Sequence, residues 1–211
     1  MLLVGMLDSP YVRRVAISLQ CLGLPFEHQS VSVFRTFDAF RRINPVVKSP
    51  TLVCDDGTVL MDSTLIVEYA QALARPRSLV PQEPAALART LRAVGLALAA
   101  CEKAIQLYYE DLLRPPEKRH APWIERVTGQ MHAAFAALEE AAANGSLVAT
   151  AEQLDQDAIS AAVAWTFTHE TVAGAVSASQ YPALAAFTAR AEALPPFRAA
   201  PHGTGTYRAA S

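Results

Sequence analysis

Charge is scarce in this chain. Only 18% of its 211 residues are Asp, Glu, Lys or Arg, and the formal net charge is -2. That balance gives no basic footprint for nucleic acid and no field to draw the chain to an acidic surface. Hydrophobic residues make up 52%, enough for a sizeable core and too many for a disordered chain. Cysteine is scarcer still. Cys21, Cys54 and Cys101 are odd in number, far apart and set in apolar surroundings. A disulfide framework is excluded, and free thiols in a reducing, cytoplasmic compartment are expected. Asp8 interrupts the N-terminal apolar run and no basic segment precedes it, so no signal peptide is expected. The longest uninterrupted apolar stretch, Ala93 to Cys101, falls far short of the roughly 20 residues that cross a bilayer, so no membrane partner is expected. The five histidines (His28, His120, His132, His169 and His202) show no metal spacing and no His-Glu-x-x-His, so no metal is expected either. Gly203-Thr204-Gly205 has no strand before it and is not a nucleotide loop.

What the chain does have is concentrated between Asn44 and Ser63. Thr51 to Cys54 and Thr58 to Met61 are short apolar runs flanking Asp55-Asp56-Gly57, and an Asp-Gly step between β-prone runs predicts a hairpin. Ser49-Pro50 stands before the first run, where a residue without an N–H suits the start of a strand. Asp62-Ser63 follows the second, and Ile66, Tyr69, Ala70 and Leu73 then keep helical spacing, so Ser63 reads as a helix N-cap. An acid and a hydroxyl at a helix start, beside an extended backbone, make a cradle for a small zwitterionic peptide.

Around this stretch the chain is ordered simply. Leu2 to Met6 reads as a strand. Ser9 and Pro10 then form an N-cap and first turn for a helix carrying Val12, Val15, Ala16, Leu19 and Leu22, which Gly23 and Pro25 end. Phe26 to Val33 reads as a second strand, placed for a right-handed parallel crossover, and Arg35 to Ile43 as a short irregular helix. The resulting β-α-β-α-β-β-α order resembles the thioredoxin fold. Ser78 to Pro84 reads as a linker, and all that follows is helical: Ala85 to about Leu113, Pro122 to Ala143 with an Asn144-Gly145 stop, Asp155 to Ala173, and Pro182 to Leu194 stopped by Pro195-Pro196. The tail from His202 to Ser211 has no apolar pattern and is expected to be mobile. Arg13-Arg14 and Arg41-Arg42 read as charge pairs, solvated or bonded to carboxylates.

These features together resemble the cytosolic glutathione S-transferases. Ser9-Pro10-Tyr11-Val12-Arg13-Arg14-Val15 matches the catalytic segment of their bacterial, Ser-type members. The resemblance implies a thioredoxin-like glutathione-binding domain over 1–77, a linker over 78–84 and an all-α helical-bundle domain over 85–211. It also implies a homodimer whose partners are glutathione, as co-substrate, and a small hydrophobic electrophile held between the domains. Ser9 would hold the glutathione thiolate. The free thiol ionises with a pKa of about 8.5, by analogy with cysteine, and lowering it by about two units takes about 2.7 kcal/mol. A charge-assisted hydrogen bond supplies about 1.5–3 kcal/mol and a helix N-terminus up to about 2 more. From the residues alone Ser9 is a plain N-cap, and the two roles compete for one hydroxyl.

The Ser49-Pro50 bond would be cis, with the Ser49 backbone pairing with glutathione like an added strand. Asp62 would receive the γ-glutamyl ammonium and Ser63 its carboxylate; Lys48 or Arg35 would hold the glycyl carboxylate. Tyr11, Tyr108 and Tyr109 are candidate walls of the electrophile pocket, although helical spacing fits Tyr108 and Tyr109 to a core as well. Glutaredoxins have Cys-Pro-Tyr-Cys where this chain has Ser9-Pro10-Tyr11-Val12, so exchange through a protein thiol is not expected. Two departures stand out: Val47 where the family often has Gly, and Asp155 with Ala158 where it has a reciprocal capping box. They leave open a non-catalytic, protein-binding member similar to stringent starvation proteins. A glutathione-dependent isomerase or dehalogenase is a further alternative.

Overall fold

The computed structural model describes residues 1–172 and 174–208. The chain divides into two compact units, Met1–Leu79 joined by the segment from Ala193 onward, and Val80–Glu192. The first is a thioredoxin-like sheet with helices, and the second a bundle of helices.

In the first unit β1 (Leu2–Val4), β2 (Glu27–Gln29), β3 (Thr51–Val53) and β4 (Val59–Met61) form one sheet in the order β2-β1-β3-β4. β1 and β2 run parallel, linked by α1 (Pro10–Cys21), while β3 is antiparallel to both β1 and β4. The strands are shorter than the runs read from the sequence, and β1 ends just before Gly5, whose φ is +138°. Alternation along β1 turns Leu2 and Val4 toward Phe40 of α2 (Phe37–Ile43), where Val31 completes a small cluster, and sends Leu3 to the other face. α1 buries Val12, Val15, Ala16 and Leu19 and packs against α3 (Ser63–Leu73), which buries Ile66, Val67 and Ala70. The hairpin forms as its Asp-Gly step predicts. Gly57 takes φ +85°, the Cys54 N–H donates to Thr58 O at 2.9 Å, and Asp56 accepts from the Thr58 N–H.

Four expectations need correction. The cap of α3 is Asp62, one residue earlier than read: its carboxylate accepts the Thr64 N–H at 2.9 Å, which frees Ser63 for another partner. Pro195-Pro196 does not merely end a helix. It opens α8 (Pro195–Ala199), because proline's fixed φ suits a first turn. Arg13 and Arg14 are buried rather than solvated. The tail is docked rather than mobile through residue 208: Tyr207 stacks on Phe26 at 4.4 Å, the Ser30 hydroxyl donates to Thr204 O, and the Arg208 N–H donates to Ala199 O. Residues 209–211 lie outside the described residues.

The second unit holds α4 (Pro84–Leu113), α5 (Ala121–Ala143), α6 (Gln156–Thr171) and α7 (Pro182–Glu192). The Glu83 carboxylate caps α4 by accepting the Ala85 and Ala86 N–H groups. Small side chains, among them Ala93, Ala97, Ala100 and Ala104, let α4 approach α5 and α6 closely. By length and composition α4 is the one described helix that would suffice to cross a membrane. α6 is buried along most of its length and presents Trp165 edge-on to Phe135 of α5, at 5.7 Å between ring centres. Asp155 sits at the N-cap of α6 as expected, but its carboxylate makes no capping bond. Asp157 instead accepts the Ala158 N–H at 2.8 Å, and burial raises its pKa.

Candidate functional site

The site residues of the first unit gather where β1 ends. A Cβ on Gly5 would collide with Ser49 Oγ and lie 2.6 Å from Val12 Cγ2, so the missing side chain is what lets α1 and the Ser49-Pro50 segment close on that strand. Buried Asn44 holds the incoming loop. Its amide donates to Thr51 Oγ1 at 2.9 Å, its side-chain oxygen accepts the Val46 N–H, and Thr51 Oγ1 donates to Lys48 O at 2.7 Å. The Ser49-Pro50 bond is cis, as the resemblance implied. Val47 takes φ +55°, a left-handed conformation costing an L residue about 1–2 kcal/mol, which is the physical reason a glycine suits this place.

Ser9 stands at the N-cap of α1 with extended backbone, and its side chain makes no capping hydrogen bond. The competition between capping and chemistry is therefore absent, and the hydroxyl is not spent on the helix. Ser9 is tied to the strand end through its N–H, which donates to Met6 O at 3.1 Å. Asp8 beside it is half-buried. Burial raises its carboxyl pKa, opposed by the nearby His202 and Arg35. At α3, Asp62 adopts φ +71° and uses one carboxylate oxygen for the cap. Ser63 Oγ accepts from Arg14 Nη1 at 3.0 Å, and Thr64 Oγ1 from the same nitrogen at 3.3 Å. Arg14 thus ties α1 to Ser63, and Gly5 leaves room for Val12 of α1 and for Ser49 beside the end of β1.

The remaining candidates are less constrained. Arg35 is exposed, with Nη2 3.5 Å from Met6 Sδ, and Lys48 is exposed as well. Tyr11 is partly exposed on the first turn of α1. Tyr108 and Tyr109 lie on α4 in the second unit, with ring centres 6.0 Å apart and Tyr109 38% exposed. No cluster of His, Cys, Asp and Glu able to hold a metal occurs among the described residues. The cysteines are free, and burial pushes the Cys21 thiol up to about 11.

Residues 3–78 match the family described as glutathione S-transferase, N-terminal domain. A glutathione transferase family member from Pseudomonas fluorescens Pf-5, solved with bound glutathione, is 28% identical and superposes with a TM-score of 0.81 over 94% of this chain and 97% of its own. Over residues 3–78 the chain is homologous to the N-terminal domain of glutathione S-transferases. The GST-like protein YibF of Escherichia coli K12 is 26% identical across 78% of this chain and 81% of its own length. Glutathione S-transferase U4 of Arabidopsis thaliana is 29% identical over 82 residues, 39% of this chain and 37% of the plant protein.

The sequence pattern missed Gly5, Arg14 and Asn44. Asn44-Pro45 signals a turn but not a buried amide holding Thr51. Arg14 is hidden because residues 12–19 of α1 are buried all round, whereas an amphipathic pattern assigns charged residues to water.

Proposed function

We propose that this chain is a Ser-type glutathione transferase of the bacterial kind. The observation that carries the reading is the unspent Ser9 hydroxyl at the head of α1, with Ser63 bonded to Arg14 of the same helix and a cis Ser49-Pro50 bond beside Gly5. Glutathione lies along Lys48, Ser49 and Pro50. Its γ-glutamyl ammonium meets the Asp62 carboxylate, its α-carboxylate meets Ser63 at the N-terminus of α3, and Arg35 or Lys48 holds the glycyl carboxylate. Ser9 donates to the sulfur, which the N-terminal dipole of α1 also favours as an anion. The thiolate then attacks a small hydrophobic electrophile, with Tyr11, Tyr108 and Tyr109 as candidate contacts. Residues 1–77 form the glutathione-binding domain and 78–84 the linker, and the helical domain begins at 85, with the segment from Ala193 onward returning to the first unit. The working form is a cytoplasmic homodimer.

Calorimetric titration with glutathione, followed by thiolate absorbance against pH, tests this reading. Wild-type protein is expected to bind glutathione and hold its thiol pKa well below about 8.5. Ser9→Ala is expected to restore the pKa toward that value and to lower kcat/KM about 10- to 100-fold, the worth of one hydrogen bond to a charged atom. Full activity in Ser9→Ala, with an unshifted thiol pKa, would overturn the role of Ser9. Failure of the wild type to bind glutathione would favour a protein-binding module instead.

A further inference from the structure

We propose that Arg14 is a positioning residue that fixes the polarity of the Ser63 hydroxyl, so that the head of α3 accepts a carboxylate and rejects an uncharged group in its place. The proposal rests on the glutathione reading above and deepens it.

A guanidinium has donors and no acceptor. In its contacts with Ser63 Oγ at 3.0 Å and Thr64 Oγ1 at 3.3 Å, both hydroxyl oxygens must therefore accept. The Ser63 proton, repelled by the cation, is turned away from Arg14 and finds no acceptor among the described residues. Ser63 is thereby left as a donor. Burial strengthens the effect, since Arg14 and Ser63 are each only 3% exposed and the charge is poorly screened. Asp62 is one residue away and spends only one carboxylate oxygen on its cap. The two neighbouring positions then have opposite preferences: Asp62 takes a cation and Ser63 an anion. A γ-glutamyl group carries one of each on a single carbon, and fixed hydroxyl polarity admits it in one orientation only. Arg14 belongs to the helix headed by Ser9, so the same element governs both the γ-glutamyl group and the sulfur of the bound peptide.

The test compares glutathione with γ-aminobutyryl-cysteinyl-glycine, which lacks only the α-carboxylate. The full-length wild type is expected to bind glutathione at least about 10-fold more tightly, one charge-assisted hydrogen bond's worth. Arg14→Met is expected to compress that ratio toward unity by weakening glutathione alone, raising its KM while the thiol pKa of bound glutathione stays where it was. Arg14→Lys, which keeps a buried cation, is expected to retain part of the ratio and serves if the methionine variant does not fold. In a Ser63→Ala background neither Arg14 change is expected to move the ratio. A ratio equal to wild type in both Arg14 variants, or equal weakening of the two peptides, would overturn the proposal while leaving glutathione binding itself intact. Wild-type protein that binds neither peptide would instead sink the reading on which it rests.

Discussion

His28 links the sheet to the tail through two ring nitrogens with different tasks. Nε2 lies 2.8 Å from Gly5 O, which can only accept, and Nδ1 lies 3.0 Å from the Tyr207 N–H, which can only donate. These partners define a neutral imidazole with its proton on Nε2. Burial lowers the pKa of His28 below 6.5, an effect opposed by the Gly5 bond. A depressed folded-state pKa contributes stability that is fully present above the unfolded value and lost as pH falls through the folded one. Protonation would place an N–H at Nδ1 against the Tyr207 N–H. The protection of the Tyr207 amide, the exchange rate of a free amide at the same pH divided by its own, is therefore expected to fall as pH drops below about 6.5, the unfolded-state value. In His28→Gln the same amide is expected to lose this pH dependence. A protection factor at Tyr207 that is flat with pH in the wild type would contradict the assignment.

The start of α3 combines two demands on one residue. Asp62 caps the helix and adopts a left-handed backbone, which only glycine takes without cost and Asn or Asp tolerate. Alanine there loses about 1 kcal/mol of capping while keeping the Cβ that Asp62 already carries at positive φ, so Asp62→Ala is expected to destabilise the protein by about 1 kcal/mol in urea unfolding. Asp62→Gly keeps the backbone conformation and is expected to cost only a few tenths of a kcal/mol. Both variants are expected to lose glutathione affinity equally in calorimetry, because both lack the carboxylate. A glycine variant that binds as well as wild type would remove Asp62 from the site.

The first unit is not continuous in sequence. Phe197 of α8 is fully buried, the Arg13 guanidinium lies 5.5 Å over its ring, and Arg13 Nε donates to Ala200 O at 2.8 Å. Gln20 also donates to Pro196 O at 3.0 Å. Burying one phenylalanine is worth about 1.5–3 kcal/mol, a large share of the stability of so small a unit. A fragment of residues 1–79 alone is therefore expected to unfold without a cooperative thermal transition, its buried arginine having lost its partners. The same fragment joined by a flexible linker to 193–208 is expected to regain one in calorimetry. Equal cooperativity in the two fragments would show that the returning segment contributes nothing.

The local features were legible because each depends on near neighbours in the chain. The hairpin follows from Asp56-Gly57, the helix start at Pro10 from proline's fixed φ, and the end of α5 from Gly145 at φ +76°. The residues proposed for the glutathione site could be named from the sequence too, since Ser9, Ser49-Pro50 and Asp62-Ser63 are short motifs that carry the family resemblance. What only the tertiary structure decided involves partners far apart along the chain. Arg13 and Arg14 read in the sequence as a charge pair, solvated or bonded to carboxylates, yet both are buried, with contacts 49 residues away at Ser63 and 187 residues away at Ala200. The tail's lack of an apolar pattern predicted motion, but one ring stacked on Phe26 and three hydrogen bonds suffice to hold it. Short-range sterics write turns and caps into composition, whereas a desolvated charge is tolerable only if the fold brings it a partner, and no local pattern names that partner.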